Sequence, residues 1–241
     1  MTAALLFLAA IVAGAIASLA GFGIGSVLTP LLALSVGTKE AVIAVSIPHL
    51  IATAIRLWAL RRNIDVRVLR NFGISSAAGG LLGALLGSRF GSPVLAYILG
   101  ALLVFAGITG LTGLAQKMRF GTAIAWLGGA ASGLLGGLVG NQGGIRSAAL
   151  QGFNLEAKPF VATATAIALI VDGSRMPVYF FTRPDVVERL AFLIGVMVLG
   201  VAIGTLAGAR VLTRIPEKIF RQVVALLILA LGLAMLSQGA K

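Results

Sequence analysis

The run Gly140-Asn141-Gln142-Gly143-Gly144-Ile145-Arg146-Ser147 places two amides and a guanidinium within six residues, in a stretch that carries no charge from Thr122 to Ile145. Amide N–H groups, a permanent cation and glycines that let other atoms approach the backbone suit the binding of an anion. An earlier run, Gly21-Phe22-Gly23-Ile24-Gly25, is followed by Ser26, Thr29 and Pro30. Each glycine weakens a helix by roughly 1 kcal/mol relative to Ala, so both runs read as breaks. A new helix is expected to start near Val27–Pro30, because proline is tolerated in a first turn. Its unbonded N–H groups and positive dipole end would face the glycine loop. Gly21, Gly23, Gly25, Asn141, Gln142, Gly143, Gly144 and Arg146 are therefore the candidate anion-binding residues. The structural alternative is a packing kink, with Arg146 reaching to an interface.

Further charges fall within apolar stretches. Arg56 and Arg175 are flanked by uncharged residues on at least one side. A mid-membrane arginine costs about 2.5–3.5 kcal/mol on insertion scales and usually has a partner or a task. Arg175 is assigned to the anion site as a source of field, and Arg56 to the cavity lining. Asp172 lies three residues before Arg175, on one helix face, so a self-neutralising pair is the alternative there. Arg56 has Thr53 where Arg175 has Asp172, and could instead sit beside Arg61 and Arg62 at a loop. His49, the one histidine, follows Pro48. Its unperturbed pKa of about 6.5 suits a proton carrier, and with Asp172 it forms the candidate coupling pair; a purely hydrogen-bonding role is the alternative. Ser46, Thr163 and Thr165 could line the same cavity, or bond their own helix carbonyls. Trp58, Trp126 and Tyr179 read as interfacial anchors.

The elements that must hold these groups are hydrophobic helices. Of the 241 residues 59% are hydrophobic and 11% charged, with mean hydropathy +1.07. A soluble domain needs a polar shell that this composition does not supply; a bilayer solvates an apolar exterior. No Lys, Arg, Asp or Glu precedes Lys39. The start lacks the basic region and short apolar core of a secretory signal, and is read as mature protein. The formal net charge of +12 lies largely in short loops, for example Arg61, Arg62, Arg67 and Arg70. That fits the positive-inside rule better than a nucleic-acid surface. With no cysteine, disulfides, thiolate catalysis and Cys-based metal sites are excluded. No cofactor or metal is expected. Only Asp172 could serve an intramembrane aspartyl protease, which needs two acids, and no G-x-S-x-G or H-E-x-x-H motif occurs, so an enzyme is not expected.

Eight hydrophobic segments are read, roughly 3–36, 41–60, 68–88, 92–115, 120–153, 159–181, 187–210 and 217–238. The first and fifth carry the glycine breaks. A shift of 119 residues lays Gly14 on Gly133, Gly21 on Gly140, Gly25 on Gly144, Lys39 on Lys158 and Arg56 on Arg175. A shift of 121 lays Gly79, Gly83, Gly87 and Arg89 on Gly200, Gly204, Gly208 and Arg210. The chain thus reads as an all-α membrane protein of two four-segment repeats, 1–119 and 120–241. The glycine ladders at four-residue spacing are read as close helix packing.

Two topologies compete. With eight full crossings the repeats are parallel and loop Lys and Arg divide 9 to 7, with Lys117, Arg119 and Lys241 on the richer side. If segments one and five return to the side they entered, because each half is too short to span, the repeats are inverted. The division then becomes 11 to 5, with Arg214 joining the richer side. The positive-inside rule favours the inverted arrangement.

These residues resemble the TauE/SafE family, also called TSUP, of sulfite, organosulfonate and related sulfur-anion transporters. The resemblance covers nearly the whole chain. It rests on Gly21-Phe-Gly-Ile-Gly25 with Pro30, on Gly140-Asn-Gln-Gly-Gly-Ile-Arg-Ser147, and on Phe160-Val-Ala-Thr-Ala-Thr165. First-half copies in this family often have consecutive glycines, where Ile24 intervenes here. The resemblance implies transport of sulfite or a sulfonate, linked to a proton gradient, across the cytoplasmic membrane. The expected mechanism is alternating access, one repeat rocking against the other; an uncoupled anion channel with the same central site is the alternative. The expected partners are a small sulfur-containing anion and the lipid bilayer.

Overall fold

A computed structural model describes residues 2–114, 122–151, 153, 155–212 and 216–239. Lys117, Arg119, Arg214 and Lys241, which entered the loop-charge count, lie outside the described residues. Among the described residues every regular element is helical. In lipid the backbone must satisfy its own hydrogen bonds, and a helix does so within one segment. The helices are α1 (Ala3–Ala20), α2 (Ile24–Val36), α3 (Thr38–Leu60), α4 (Val66–Gly87), α5 (Ser92–Thr112), α6 (Thr122–Val139), α7 (Gly143–Gln151), α8 (Ala157–Thr182), α9 (Pro184–Arg189), α10 (Ala191–Leu212) and α11 (Glu217–Gly239), with a 3₁₀ turn at Arg61–Asn63. Among the described residues six helical stretches are long and apolar enough to cross a membrane, beginning at Ala3, Thr38, Ser92, Lys158, Ala191 and Lys218. The outer surface is correspondingly apolar, with Leu8, Leu82, Phe181, Phe192, Leu199 and Leu206 exposed.

Several expectations need correction. Helix α2 starts at Ile24 rather than near Val27–Pro30, and Pro30 lies inside it. There the missing N–H leaves the Ser26 carbonyl without its usual helical donor. Not every half-segment is too short to span, because α1 alone has 18 residues. The seventh segment, expected from 187, opens inside the short separate helix α9, and its long helix starts at Ala191.

Glycine seams join the two halves of the chain. A Cβ on Gly83 would lie 2.0 Å from the Leu134 carbonyl oxygen, and one on Gly137 2.0 Å from that of Gly80. The counterpart seam has Gly204 at 2.0 Å from the Ile11 oxygen and Gly14 at 2.6 Å from the Val201 oxygen. Helix α4 therefore lies backbone to backbone on α6, and α1 on α10. Both pairs run parallel, since Gly79, Gly83 and Gly87 meet successively later residues of α6, and Gly200, Gly204 and Gly208 successively later residues of α1. Two other pairs run antiparallel. Gly100 meets Leu236 while Gly107 meets Leu229, across α5 and α11. Glu40 meets Arg183, Ser46 meets Met176 and His49 meets Asp172, across α3 and α8.

Candidate functional site

The two breaks are built alike. Helices α1 and α6 each end at a glycine in the left-handed region, Gly21 at φ 74° and Gly140 at φ 71°. Gly21 N–H donates to the Ala17 carbonyl and Gly140 N–H to that of Gly136, both at 3.0 Å. Each carbonyl takes a second bond from an arginine of the same half of the chain: Arg56 Nη1 to Ala17 at 2.6 Å, Arg175 Nη1 to Gly136 at 2.6 Å. A cation on a last-turn carbonyl is favoured by the negative dipole end. Arg56 is thus buried at a helix end, not snorkelling beside Arg61 and Arg62 as one reading had it. Beyond the breaks, Val27 N–H donates to Gly23 and Arg146 N–H to Gln142. The first-turn amides at 24–26 and 143–145 have no intrahelical acceptor.

The breaks touch one another. A Cβ on Gly25 would lie 2.2 Å from the Gly140 oxygen, and one on Gly143 2.3 Å from Phe22 Cβ. Only glycine permits this approach. Ser26 Oγ donates to Asn141 Oδ1 at 3.2 Å, and Arg146 Nη2 donates to the Gly21 carbonyl at 3.3 Å. Arg146 is 1% exposed and Gln142 4%. Arg146 Nε and Nη1, both polar atoms of the Gln142 side chain and Thr29 Oγ1 are buried with no hydrogen-bond partner. Unsatisfied buried donors cost about 1–3 kcal/mol each, more when charged, so this centre carries donor capacity that the protein itself leaves unused. Thr29, within 3.4 Å of a Cβ built on Gly140, was not among the sequence candidates. Its place one turn past a glycine break was the only signal.

A second buried cluster adjoins it. His49 Nδ1 and Asp172 Oδ2 are 2.6 Å apart. Arg175 donates to Asp172 Oδ1 from Nε at 3.1 Å and Nη2 at 2.7 Å. All three side chains are buried. The donors of Arg175 are thus engaged by Asp172 and Gly136, unlike those of Arg146. Of the lining candidates, Ser46 donates to its own helix at Ile43 and also meets Met176, and Thr165 donates to Val161. Thr163 accepts from Asp65 N–H at 2.9 Å. Tyr179 is not an interfacial anchor: it is buried and its hydroxyl donates to the Gly137 carbonyl. Trp58 is exposed under the Arg61 guanidinium, 4.0 Å from the ring centre.

The buried charged side chains among the described residues are Arg56, Arg146, Arg175, Asp172 and, when protonated, His49. Three guanidiniums against one carboxylate leave an excess of positive charge in a low-dielectric interior, where it calls for a counter-anion. A small cleft is lined by Lys39, Val42, Ser88, Gly137, Tyr179 and Arg183 among others. Its floor borders the second break, since Val42 is also within 3.6 Å of a Cβ built on Gly140.

The model of the family described as Sulfite exporter TauE/SafE matches residues 6–235, nearly the whole chain. No curated protein and no solved structure matches it.

Proposed function

The chain belongs to the sulfite exporter TauE/SafE family, and from that premise we propose that it is a secondary active transporter of a small sulfur oxyanion such as sulfite or an organosulfonate. It works in the cytoplasmic membrane, carrying its substrate rather than transforming it. The observation that carries this reading is Arg146: a guanidinium 1% exposed, with two nitrogens unpartnered, set between two interrupted helices. The anion sits at Arg146, Gln142, Asn141 and the first-turn amides after Gly23 and Gln142, with Gly21, Gly25, Gly143 and Gly144 keeping the approach open. Arg175 and Arg56 hold the helix ends and add field. His49 and Asp172 couple transport to protons. The cleft beside Tyr179 is the approach from one side.

The antiparallel pairs α5–α11 and α3–α8 support two inverted repeats, because parallel repeats would run each pair in one direction. The seams change which bodies move. With α1 packed on α10 and α4 on α6 through glycine contacts, one repeat rocking as a block would tear both seams. The moving bodies in this reading are the cross-repeat pairs, displaced against α3, α5, α8 and α11.

Purified protein in proteoliposomes tests the proposal with labelled sulfite. Wild type should accumulate sulfite under an imposed proton gradient; flux without accumulation would favour an uncoupled channel. Arg146→Ala should abolish transport while the protein stays folded by its melting curve. Unaltered transport by that variant would remove Arg146 from the site.

A further inference from the structure

The two breaks share one clamp and differ in what stands behind it. Arg56 rests on Ala17 and is backed by a neutral hydroxyl, Thr53 Oγ1, at 3.3 Å. Arg175 rests on Gly136 and is backed by the Asp172 carboxylate, whose other oxygen meets His49 of the opposite repeat. Thr53 and Asp172 are equivalent at the shift of 119 residues. Only the second clamp is therefore tied to an imidazole, a side chain suited to taking up and releasing a proton. The Gln142 side chain also lies close, within 3.1 Å of a Cβ built on Gly136.

Resting on the anion site described above, we propose that the His49–Asp172 pair is a proton site that acts on the second break through Arg175, a positioning residue, while Arg56 holds the first break whatever the pH. With neutral His49, Asp172 has Arg175 as its one charged partner and meets the imidazole only through a hydrogen bond. A proton taken up by the pair makes an imidazolium, which shares the carboxylate and adds one positive charge to the centre. The other ionisable groups facing the pair are Arg56 on α3, Arg146 on α7 and Tyr179 on α8. Among the described residues α6 has no titratable side chain, and the Arg67 and Arg70 of α4 lie at its start, beside the far end of α8. Among the described residues no second acid is buried beside the pair to compensate the added charge. Proton and anion then bind together, and by linkage each raises the affinity for the other by the same factor.

The test measures anion affinity from pH 5.5 to 8 by thermal shift, with sulfate and thiosulfate as probes, whose charges are constant over that range. Wild type should bind more tightly at the acid end, by about 5- to 150-fold, the usual range of such couplings. His49→Gln and Asp172→Asn should still bind but with a flat pH profile. Arg175→Lys keeps the charge without the fork between Asp172 and Gly136, and should flatten the profile too. Thr53→Val should leave the slope as in wild type. A slope that survives both His49→Gln and Asp172→Asn, or an equal loss of slope in Thr53→Val, overturns the inference while the anion site stands. Absence of any Arg146-dependent shift with either probe overturns the site itself, and the inference with it.

Discussion

Gly25→Ala puts a methyl group where the breaks meet, and the structure sets the size of the effect. The new Cβ would lie 2.2 Å from the Gly140 oxygen and 3.9 Å from Asn141 Cα. A carbon and a carbonyl oxygen rest at about 3.3–3.6 Å, so the breaks must part by about 1 Å. The obstructing atom is backbone, and its helix end is held by Arg175, so the strain is not relieved by a rotamer change. Overpacking of this kind costs about 1–3 kcal/mol. At roughly 2–4 °C per kcal/mol for a chain of this length, melting should fall by about 2–12 °C. The separation also pulls the Ser26–Asn141 bond apart, so sulfate-induced stabilisation should shrink. Gly144→Ala is the control. It is the equivalent position in the second repeat, yet its Cβ would lie 3.4 Å from Ala106 Cβ, an ordinary contact. Its melting should stay within about 0.5 kcal/mol of wild type. Melting curves of the purified variants, with and without sulfate, decide the matter. Equal effects of the two substitutions would refute contact between the breaks as the reason Gly25 is glycine.

The seams make a second prediction: Gly83→Ala and Gly204→Ala, each with a Cβ 2.0 Å from a carbonyl oxygen of the other repeat, should destabilise by at least as much as Gly25→Ala, read by the same melting curves. At the surface, Arg183 donates to Asp185 at 2.9 and 3.0 Å, and that bond holds the carboxyl below its usual range. A depressed carboxylate stabilises above its unfolded pKa of about 3.9, and the contribution is lost as pH falls through the folded value. The melting difference between wild type and Asp185→Asn should therefore narrow below about pH 4; a gap that stays constant down to pH 3 would dismiss the bond.

The membrane class and the breaks were legible because both follow from local chemistry. Apolar runs without charges leave lipid as the solvent, and glycines in a row leave a helix weak. The pairing Gly21–Gly140 and Arg56–Arg175 was legible too, since charges are scarce enough for one aligned arginine to carry weight. The start of α2 at Ile24 was not, because proline's preference for a first turn was outweighed: a helix interior tolerates Pro30 when the freed Ser26 carbonyl lies at a broken, polar centre. The role of Arg56 was missed for a related reason. Sequence gives the cost of a buried guanidinium but not the backbone carbonyl that offsets it, and Ala17 carries no mark of being an acceptor. Tyr179 misled because an aromatic near a helix end reads as an anchor, while its hydroxyl was needed inside by Gly137.

The largest part hidden from the sequence is how the halves interlock, and it bears on mechanism. Four-residue glycine spacing announces close packing but not the partner. Each ladder could have packed within its own repeat, leaving two separable blocks. Instead each broken helix lies on a helix of the other half of the chain, α1 on α10 and α6 on α4, which ties the halves together. That exchange gives every break a clamp from its own half of the chain, Arg56 or Arg175, and a track from the opposite half. A shift along one track reaches the other break through the Gly25–Gly140 contact, where no side chain intervenes to absorb it. Under the transport proposed above, two bodies coupled in this way would open one break as the other closes, and an anion held between them would face one side at a time. Transport with both sides accessible to impermeant thiol reagents, at cysteines introduced beside Val42 and Val161 in this cysteine-free chain, would break that coupling.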